Sequence, residues 1–114
     1  MDRKKELKKL YKSMKPDMGI FAVRSCFENR CYIEVTQDLK GTINSTVFKL
    51  NFGSHPNKEL QKNWKEHGES SFEIEILEKL EYDKDTSKTD YSEELKILKM
   101  LWEDKLSSKG VEFY

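Results

Sequence analysis

The chain has 114 residues, of which 37% are charged and 36% hydrophobic, and its formal net charge at pH 7 is zero. This length suffices for one domain with a small core and excludes two independent domains. No apolar run is long enough to cross a membrane and the N-terminus lacks a signal-peptide pattern, so we expect a soluble cytoplasmic protein without a membrane partner.

Charge is distributed unevenly along the sequence. Up to Lys65 there are 14 basic and 7 acidic residues, and from Glu66 onward there are 7 basic and 14 acidic ones, so the two parts carry +7 and −7. Such an asymmetry can indicate a basic face for nucleic acid or an acidic partner. It is also compatible with two halves that fold against each other and partly cancel their fields.

The first segment, residues 1–16, has the pattern of a basic amphipathic helix that ends at Pro16. Its apolar stripe has helical spacing and consists of Leu7, Leu10, Tyr11 and Met14. Lysines occupy the remaining faces, either as the solvated side of a packing helix or as contacts to a phosphate backbone. The candidate contacts on this helix are Lys4, Lys8 and Lys12.

Two apolar segments then flank a polar link over residues 27–30, which predicts a β-hairpin. Both faces of the hairpin carry apolar residues, so we expect helices on both sides of the sheet. Arg24 on the first strand is a further candidate contact to nucleic acid, as is Lys40 beyond the hairpin. Cys26 and Cys31 are expected to be buried or half-buried free thiols, since two thiols alone do not complete a metal site.

The middle of the chain predicts two helices and a third strand. Residues 36–50 favour a short or irregular helix, because Gly41 and β-branched threonines weaken the helical pattern. A loop follows, and residues 57–67 form a clearer helix with Asn57 as its cap. Apolar residues alternate with glutamates over residues 72–77, which predicts a half-buried strand.

The last third of the chain predicts a polar loop and a long helix. Asp90 and Glu93 are spaced as a capping box at the start of this helix. The tail over residues 110–114 is apolar enough either to dock or to add an edge strand. The order α-β-β-α-α-β-α predicts an α+β fold with a three-stranded, mostly antiparallel sheet flanked by helices.

The hairpin and the segments after it resemble the GIY-YIG endonuclease family. The resemblance lies in Gly19-Ile20-Phe21, Tyr32-Ile33-Glu34, Asp38-Leu39, the Gly53–Asn57 segment with Leu60, Gln61 and Trp64, and strand residues 72–78. It covers residues 18–106. It implies a GIY-YIG-like domain over residues 17–109, preceded by the helix at 1–16 and followed by the tail at 110–114.

The resemblance implies phosphodiester hydrolysis, with tyrosines that orient or deprotonate water, an arginine that stabilises phosphate charge and a glutamate that holds one divalent metal. This sequence departs from that pattern at four positions. The first tyrosine is replaced by Phe21, the glycine of the second motif by Glu34, the arginine by Thr42 and the metal-binding glutamate by Lys99.

The retained candidates for a catalytic role are Tyr32 and His55, and Glu94 is a candidate for a relocated metal ligand. We therefore expect a domain that has lost or weakened its nuclease activity and binds nucleic acid in a regulatory role, with no cofactor. One alternative is an active endonuclease that uses Tyr32, His55 and Glu94 with Mg²⁺ or Mn²⁺. Another is a protein-interaction module, such as a homodimer paired through its oppositely charged halves.

Overall fold

The computed structural model of the protein describes residues 15–114. The predicted basic helix, with the candidate contacts Lys4, Lys8 and Lys12, lies outside the described residues except for its last two positions. Within residues 15–114, none of the helices has the length and apolar character needed to cross a membrane.

The sheet has four strands in the order β3-β1-β2-β4. They are β1 (Met18–Ser25), β2 (Arg30–Thr36), β3 (Phe72–Leu80) and β4 (Glu112–Phe113). The central strand β1 is antiparallel to both β2 and β3, which confirms the mostly antiparallel sheet. The difference from the three-stranded prediction is β4, which pairs in parallel with β2.

The C-terminal tail therefore adds an edge strand. The backbone N–H of Glu112 donates to the Asn29 carbonyl at 3.0 Å, and that of Tyr114 donates to the Cys31 carbonyl at 3.0 Å. The Tyr114 ring lies under the Arg30 guanidinium, 4.2 Å from ring centroid to Cζ. These contacts fix the last residues of the chain to the edge of β2.

Three helices cover the sheet: α1 (Leu39–Phe52), α2 (Lys58–His67) and α3 (Ser92–Ser108). A short 3₁₀ turn at Glu69–Ser71 leads from α2 into β3. The described elements follow the predicted order of strands and helices, with β4 added at the end.

Helix α1 is regular over 14 residues, in contrast to the short or irregular helix that its sequence favoured. Its cap is Asp38, whose Oδ1 accepts the Gly41 N–H at 3.0 Å. The Thr46 hydroxyl donates to the Thr42 carbonyl at 2.8 Å, so this buried threonine is satisfied within the helix. Capping and burial of one face outweigh the weak intrinsic propensity of the segment.

Of the caps predicted for the other two helices, one is present and one is absent. Asn57 caps α2 as expected, because its Oδ1 accepts the Leu60 N–H at 3.1 Å. The predicted capping box at Asp90 and Glu93 is wrong. Asp90 instead accepts the N–H of Ser92 at 3.0 Å, and the helix begins one residue later than a capping box would require.

Two hydrophobic cores lie on opposite faces of the sheet, as the apolar character of both hairpin faces predicted. One core packs α3 against the sheet and contains Met18, Ile20, Ala22, Cys31, Ile33, Tyr91, Leu95 and Leu98. The other packs α1 and α2 against it and contains Phe21, Val23, Leu39, Leu50, Leu60, Trp64 and Phe72. Each strand thus contributes alternate residues to each core.

Gly19 lies where β1 passes close to β3, and this generates a prediction about stability. A Cβ at this position would lie 2.1 Å from the Glu78 carbonyl oxygen and 2.8 Å from the Lys79 Cα. We expect Gly19→Ala to lower the free energy of unfolding by about 3 kcal/mol, because backbone atoms of two paired strands must separate and because Gly19 has a φ of +156°, which residues with a side chain rarely adopt. Urea denaturation measures this loss.

Gly53→Ala is the matched control. It has a φ of +86°, but nothing lies within 4 Å of an added Cβ, so only the cost of the left-handed conformation applies. That cost is about 1–2 kcal/mol. An equal or smaller loss for Gly19→Ala would contradict the close strand approach.

Candidate functional site

The second hairpin strand directs Tyr32 and Glu34 to the face of the sheet that carries α1 and α2. The two residues are separated by one position, so their side chains lie on the same side of β2. The Tyr32 hydroxyl donates a hydrogen bond to the Glu34 carboxylate. The Tyr32 ring also meets the His55 ring edge to face, with 5.2 Å between centroids and an interplanar angle of 89°.

Burial and the nearby Glu34 carboxylate raise the pKa of the Tyr32 phenol well above its ordinary value. Burial is the largest cause, followed by the hydrogen bond to Glu34 and the negative charge of that carboxylate. At neutral pH the phenol is therefore protonated, and its hydroxyl donates a hydrogen bond to Glu34.

A set of hydrogen bonds holds His55 in the loop between α1 and α2. Its backbone N–H donates to Gln61 Oε1 at 3.0 Å, and the Gln61 amide donates to the Leu50 carbonyl at 2.9 Å. The His55 Nδ1 accepts the N–H of Asn57 at 3.0 Å. The imidazole is buried, and it is placed by the same residue that caps α2.

Burial also lowers the pKa of His55. The positive charge of Lys49 adds to this effect, whereas the charge of Glu34 and the hydrogen bond with Asn57 oppose it. With Nδ1 accepting a hydrogen bond, the neutral imidazole carries its proton on Nε2. His55 is thus a neutral donor within a site that also holds a carboxylate and an ammonium group.

A cleft of about 380 Å³ opens beside these residues, between α1 and the His55 loop. Its lining consists of Glu34, Asp38, Gly41, Thr42, Ser45, Thr46, Lys49, His55 and Pro56. The structure therefore brings Thr42, His55 and Glu34 together, and it places Tyr32 against the last two. The Thr42 hydroxyl lies 2.6 Å from that of Thr36, so the two hydroxyls form a hydrogen bond.

Lys49 supplies a cation to the cleft, and sequence reasoning missed it. Thr42, Ser45 and Lys49 are spaced i, i+3 and i+7 on α1, so they lie along one side of the helix. The resemblance implies a cation on this helix only at the position of Thr42. If the segment is taken as a regular helix, Lys49 lies two turns after Thr42 on the same side, and this spacing identifies it as a candidate cation.

Phe21 and Lys99, the other two positions at which the resemblance implies a replacement, do not line the cleft. Phe21 is directly opposite Glu34 in the strand register and is completely buried. Lys99 on α3 lines a neighbouring cavity of about 280 Å³, together with Tyr32 and Glu103. Tyr32 thus lies between the cleft that contains Thr42 and the cavity that contains Lys99.

Three candidates are not among the residues that line the cleft. Arg24 shares the α3 face of the sheet with Ala22 and forms an ion pair with Glu75 at 3.4 Å. Lys40 lines a separate cavity beside Asp17 and Ile43. The Glu94 carboxylate accepts a hydrogen bond from the Lys88 ammonium at 2.6 Å.

Residues 15–114 do not offer a cluster of protein ligands for a divalent metal ion. Within this range, no three His, Cys, Asp or Glu side chains are grouped so that they could hold one. The hydrogen bond from Lys88 is the main reason why the pKa of Glu94 is lowered, so this carboxylate is already neutralised by an ammonium group. Lys99 adds positive charge rather than a ligand.

The two thiols also lie outside the cleft. Cys31 is buried, where desolvation raises its pKa, and neither cysteine forms a disulfide. Cys26 is exposed, against the expectation of a buried or half-buried thiol. It directly follows the last residue of β1, and its backbone N–H donates to the Ser71 carbonyl at 2.9 Å.

No family model matches the chain, and no curated protein does so. Among solved structures, the catalytic domain of the homing endonuclease I-TevI matches with a TM-score of 0.66 and 24% identity, over 83% of this chain and 94% of that chain. A point mutant of the catalytic domain of the intron endonuclease I-TevI matches with a TM-score of 0.67 and 22% identity, over 86% and 92% of the two chains.

The protein has a GIY-YIG-like fold. This confirms the fold that the hairpin motifs and the order of the downstream elements implied. Identities of 22% and 24% show the fold alone, and the chemistry has to be argued from the residues of this GIY-YIG-like chain.

The hydrogen bond between Tyr32 and Glu34 generates a prediction about ionisation. We expect the Tyr32 phenol to remain protonated at pH values above the ordinary tyrosine pKa of about 10, and Glu34→Gln to lower its pKa. The difference in phenolate absorbance between the protein and its Tyr32→Phe variant isolates this one tyrosine. Identical difference curves with and without the Glu34→Gln substitution would contradict the bond.

The buried neutral His55 generates a prediction about acid stability. Because its pKa is lower in the folded than in the unfolded state, the unfolded state gains its proton first as the pH falls. Stability from this group is full above about pH 6.5 and declines as the pH falls towards the folded-state pKa.

The variant His55→Asn offers an oxygen to the Asn57 N–H but does not titrate in this range. We expect its unfolding free energy, measured with urea at a series of pH values, to fall less steeply with acidification than that of the unmodified protein. Parallel pH profiles for the two proteins would show that His55 is not buried in its neutral form.

Proposed function

We propose that this GIY-YIG-like domain binds nucleic acid along α1 and the adjoining cleft, and that its hydrolytic activity is lost or greatly weakened. A regulatory role, exercised by binding without cutting, and a cytoplasmic location are part of the proposal. The single observation that supports it most strongly is the hydrogen bond from the Tyr32 hydroxyl to Glu34.

This hydrogen bond occupies the Tyr32 hydroxyl, which is the group that the resemblance implies for activating water. A phenol can orient or deprotonate a water molecule only if its oxygen is available and its pKa is within reach. Here the hydroxyl donates to Glu34 and the pKa of Tyr32 is raised. Glu34 also places a negative charge where the family has a glycine, and this charge opposes the approach of a phosphate.

The remaining replacements act in the same direction. Phe21 has no hydroxyl and is buried, and Thr42 offers no charge to a phosphorane. Lys99 stands where the family has its metal-binding glutamate. Since one electrostatic contributor is typically worth ~10²–10³ in rate, losing several together should reduce hydrolysis by several orders of magnitude.

Binding is supported by the charge of α1. Residues 39–52 include two lysines and no acidic side chain. Lys49 lines the cleft and Lys40 lies near the start of the same helix, so both can contact a phosphate backbone. Arg24 is on the opposite face of the sheet, and it would require a second surface.

The experiments below can also support two other functions, an active endonuclease and a homodimer. An active endonuclease with relocated groups would use Tyr32, His55 and Glu94 with Mg²⁺ or Mn²⁺, although Glu94 is paired with Lys88. A homodimer would pair through surfaces of opposite charge, and light scattering at low salt would detect it.

The test of binding is a fluorescence anisotropy titration of labelled DNA and RNA at several salt concentrations. We expect salt-sensitive binding, and we expect Lys49→Ala to reduce the slope of log affinity against log salt by about 1, because one phosphate contact is lost. Lys84→Ala is the matched control, since Lys84 is an exposed lysine in the loop before α3. Absence of salt-sensitive binding to any nucleic acid would contradict the proposal.

The test of cleavage is incubation of supercoiled plasmid with Mg²⁺ or Mn²⁺. We expect the protein and a double variant, Tyr32→Phe with Glu94→Ala, to show the same background nicking. Nicking by the unmodified protein that disappears in the double variant would establish the relocated endonuclease instead.

A further inference from the structure

Two phenylalanines are exposed side by side on helix α1. Phe48 is 68% exposed and Phe52 is 76% exposed, although large aromatic side chains usually contribute to a core. Their rings stack at 5.9 Å between centroids, with an interplanar angle of 7°. They are one helical turn apart, on the side of α1 opposite to its buried residues Leu39 and Leu50.

Two lysines lie near this aromatic pair, and the acidic residue among its neighbours is Glu69, which lines the same cavity as Phe52 and Lys65. Lys49 follows Phe48 directly and lines the cleft, and Lys65 on α2 lines a cavity of about 360 Å³ to which Phe52 also contributes. No acidic residue occurs on α1 itself. The pair therefore lies between two lysines and continues the surface that contains the cleft.

We propose that Phe48 and Phe52 form a stacking platform for unpaired bases of single-stranded nucleic acid, whose backbone contacts Lys49 and Lys65. The platform rests on the proposed function and narrows its ligand to single strands. Aromatic side chains stack on bases of any sequence, whereas the bases of a duplex are already stacked on one another. Exposed aromatics bordered by lysines are the combination that binds single strands with little sequence preference.

The lysines beside Phe48 and Phe52 favour nucleic acid over a protein as the ligand of this surface. A second copy of the chain or another protein could also cover two phenylalanines, but a polyanion is the partner that gains from lysines on both sides without an opposing carboxylate on α1. Glu34 opposes deep entry of a phosphate into the cleft, so the strand runs along the outer side of α1.

The experiment compares a labelled oligothymidine of about 12 nucleotides with a duplex of the same length by anisotropy. We expect the double variant Phe48→Ala, Phe52→Ala to bind the single strand at least about tenfold more weakly, because stacking of one base is worth about 5- to 150-fold in affinity. Its salt slope and its duplex affinity should stay unchanged, since no charge is removed.

Two further variants separate stacking from a general loss of apolar surface. Phe48→Tyr, Phe52→Tyr retains both rings, and we expect it to bind the single strand as the unmodified protein does. Leu101→Ala removes a side chain that is 62% exposed on α3, far along the chain from α1, and we expect no change. Unchanged urea denaturation of all variants verifies that folding is not the cause.

The possible outcomes separate the two proposals. Single-strand binding that survives the double alanine variant overturns the platform and leaves nucleic-acid binding intact. Absence of salt-sensitive binding by the unmodified protein overturns the proposed function and the platform with it. Self-association that disappears in the double alanine variant, with unchanged affinity for the oligothymidine, overturns the platform and assigns the pair to a second copy of the chain.

Discussion

The hydrogen bond between the Tyr32 hydroxyl and the Glu34 carboxylate is the interaction on which the chemistry of the site depends. It exists because alternation along β2 places both side chains on one face, and because a carboxylate stands where the resemblance implies a glycine. The bond commits the phenol as a donor, while burial keeps the adjacent His55 neutral. At neutral pH, Tyr32 is therefore protonated and His55 is uncharged.

The two faces of the sheet have separate roles as a consequence of the hairpin pattern. One face buries Phe21 and presents Tyr32 and Glu34 to α1, α2 and the cleft. The other face packs on α3 and carries Arg24 with its partner Glu75. Any nucleic acid bound along α1 therefore runs on the first face alone.

The sequence predicted the fold because strand alternation and motif spacing are local properties. Thr42 and His55 share the cleft, and Tyr32 packs against His55, as a common pocket requires. Lys49 was missed because Gly41 and the threonines concealed a regular helix that capping and burial stabilise. The pairing of β4 with β2 depends on a tertiary contact that no local pattern encodes.

The most direct measurement is the exchange rate of the Tyr32 hydroxyl proton, observed by NMR in protein labelled with ¹³C-tyrosine and assigned by its loss in Tyr32→Phe. The account predicts a proton that exchanges slowly with water because Glu34 accepts it, and that exchanges rapidly when Glu34 is replaced by glycine. A Tyr32 hydroxyl that exchanges as fast as free tyrosine in the unmodified protein would contradict the account.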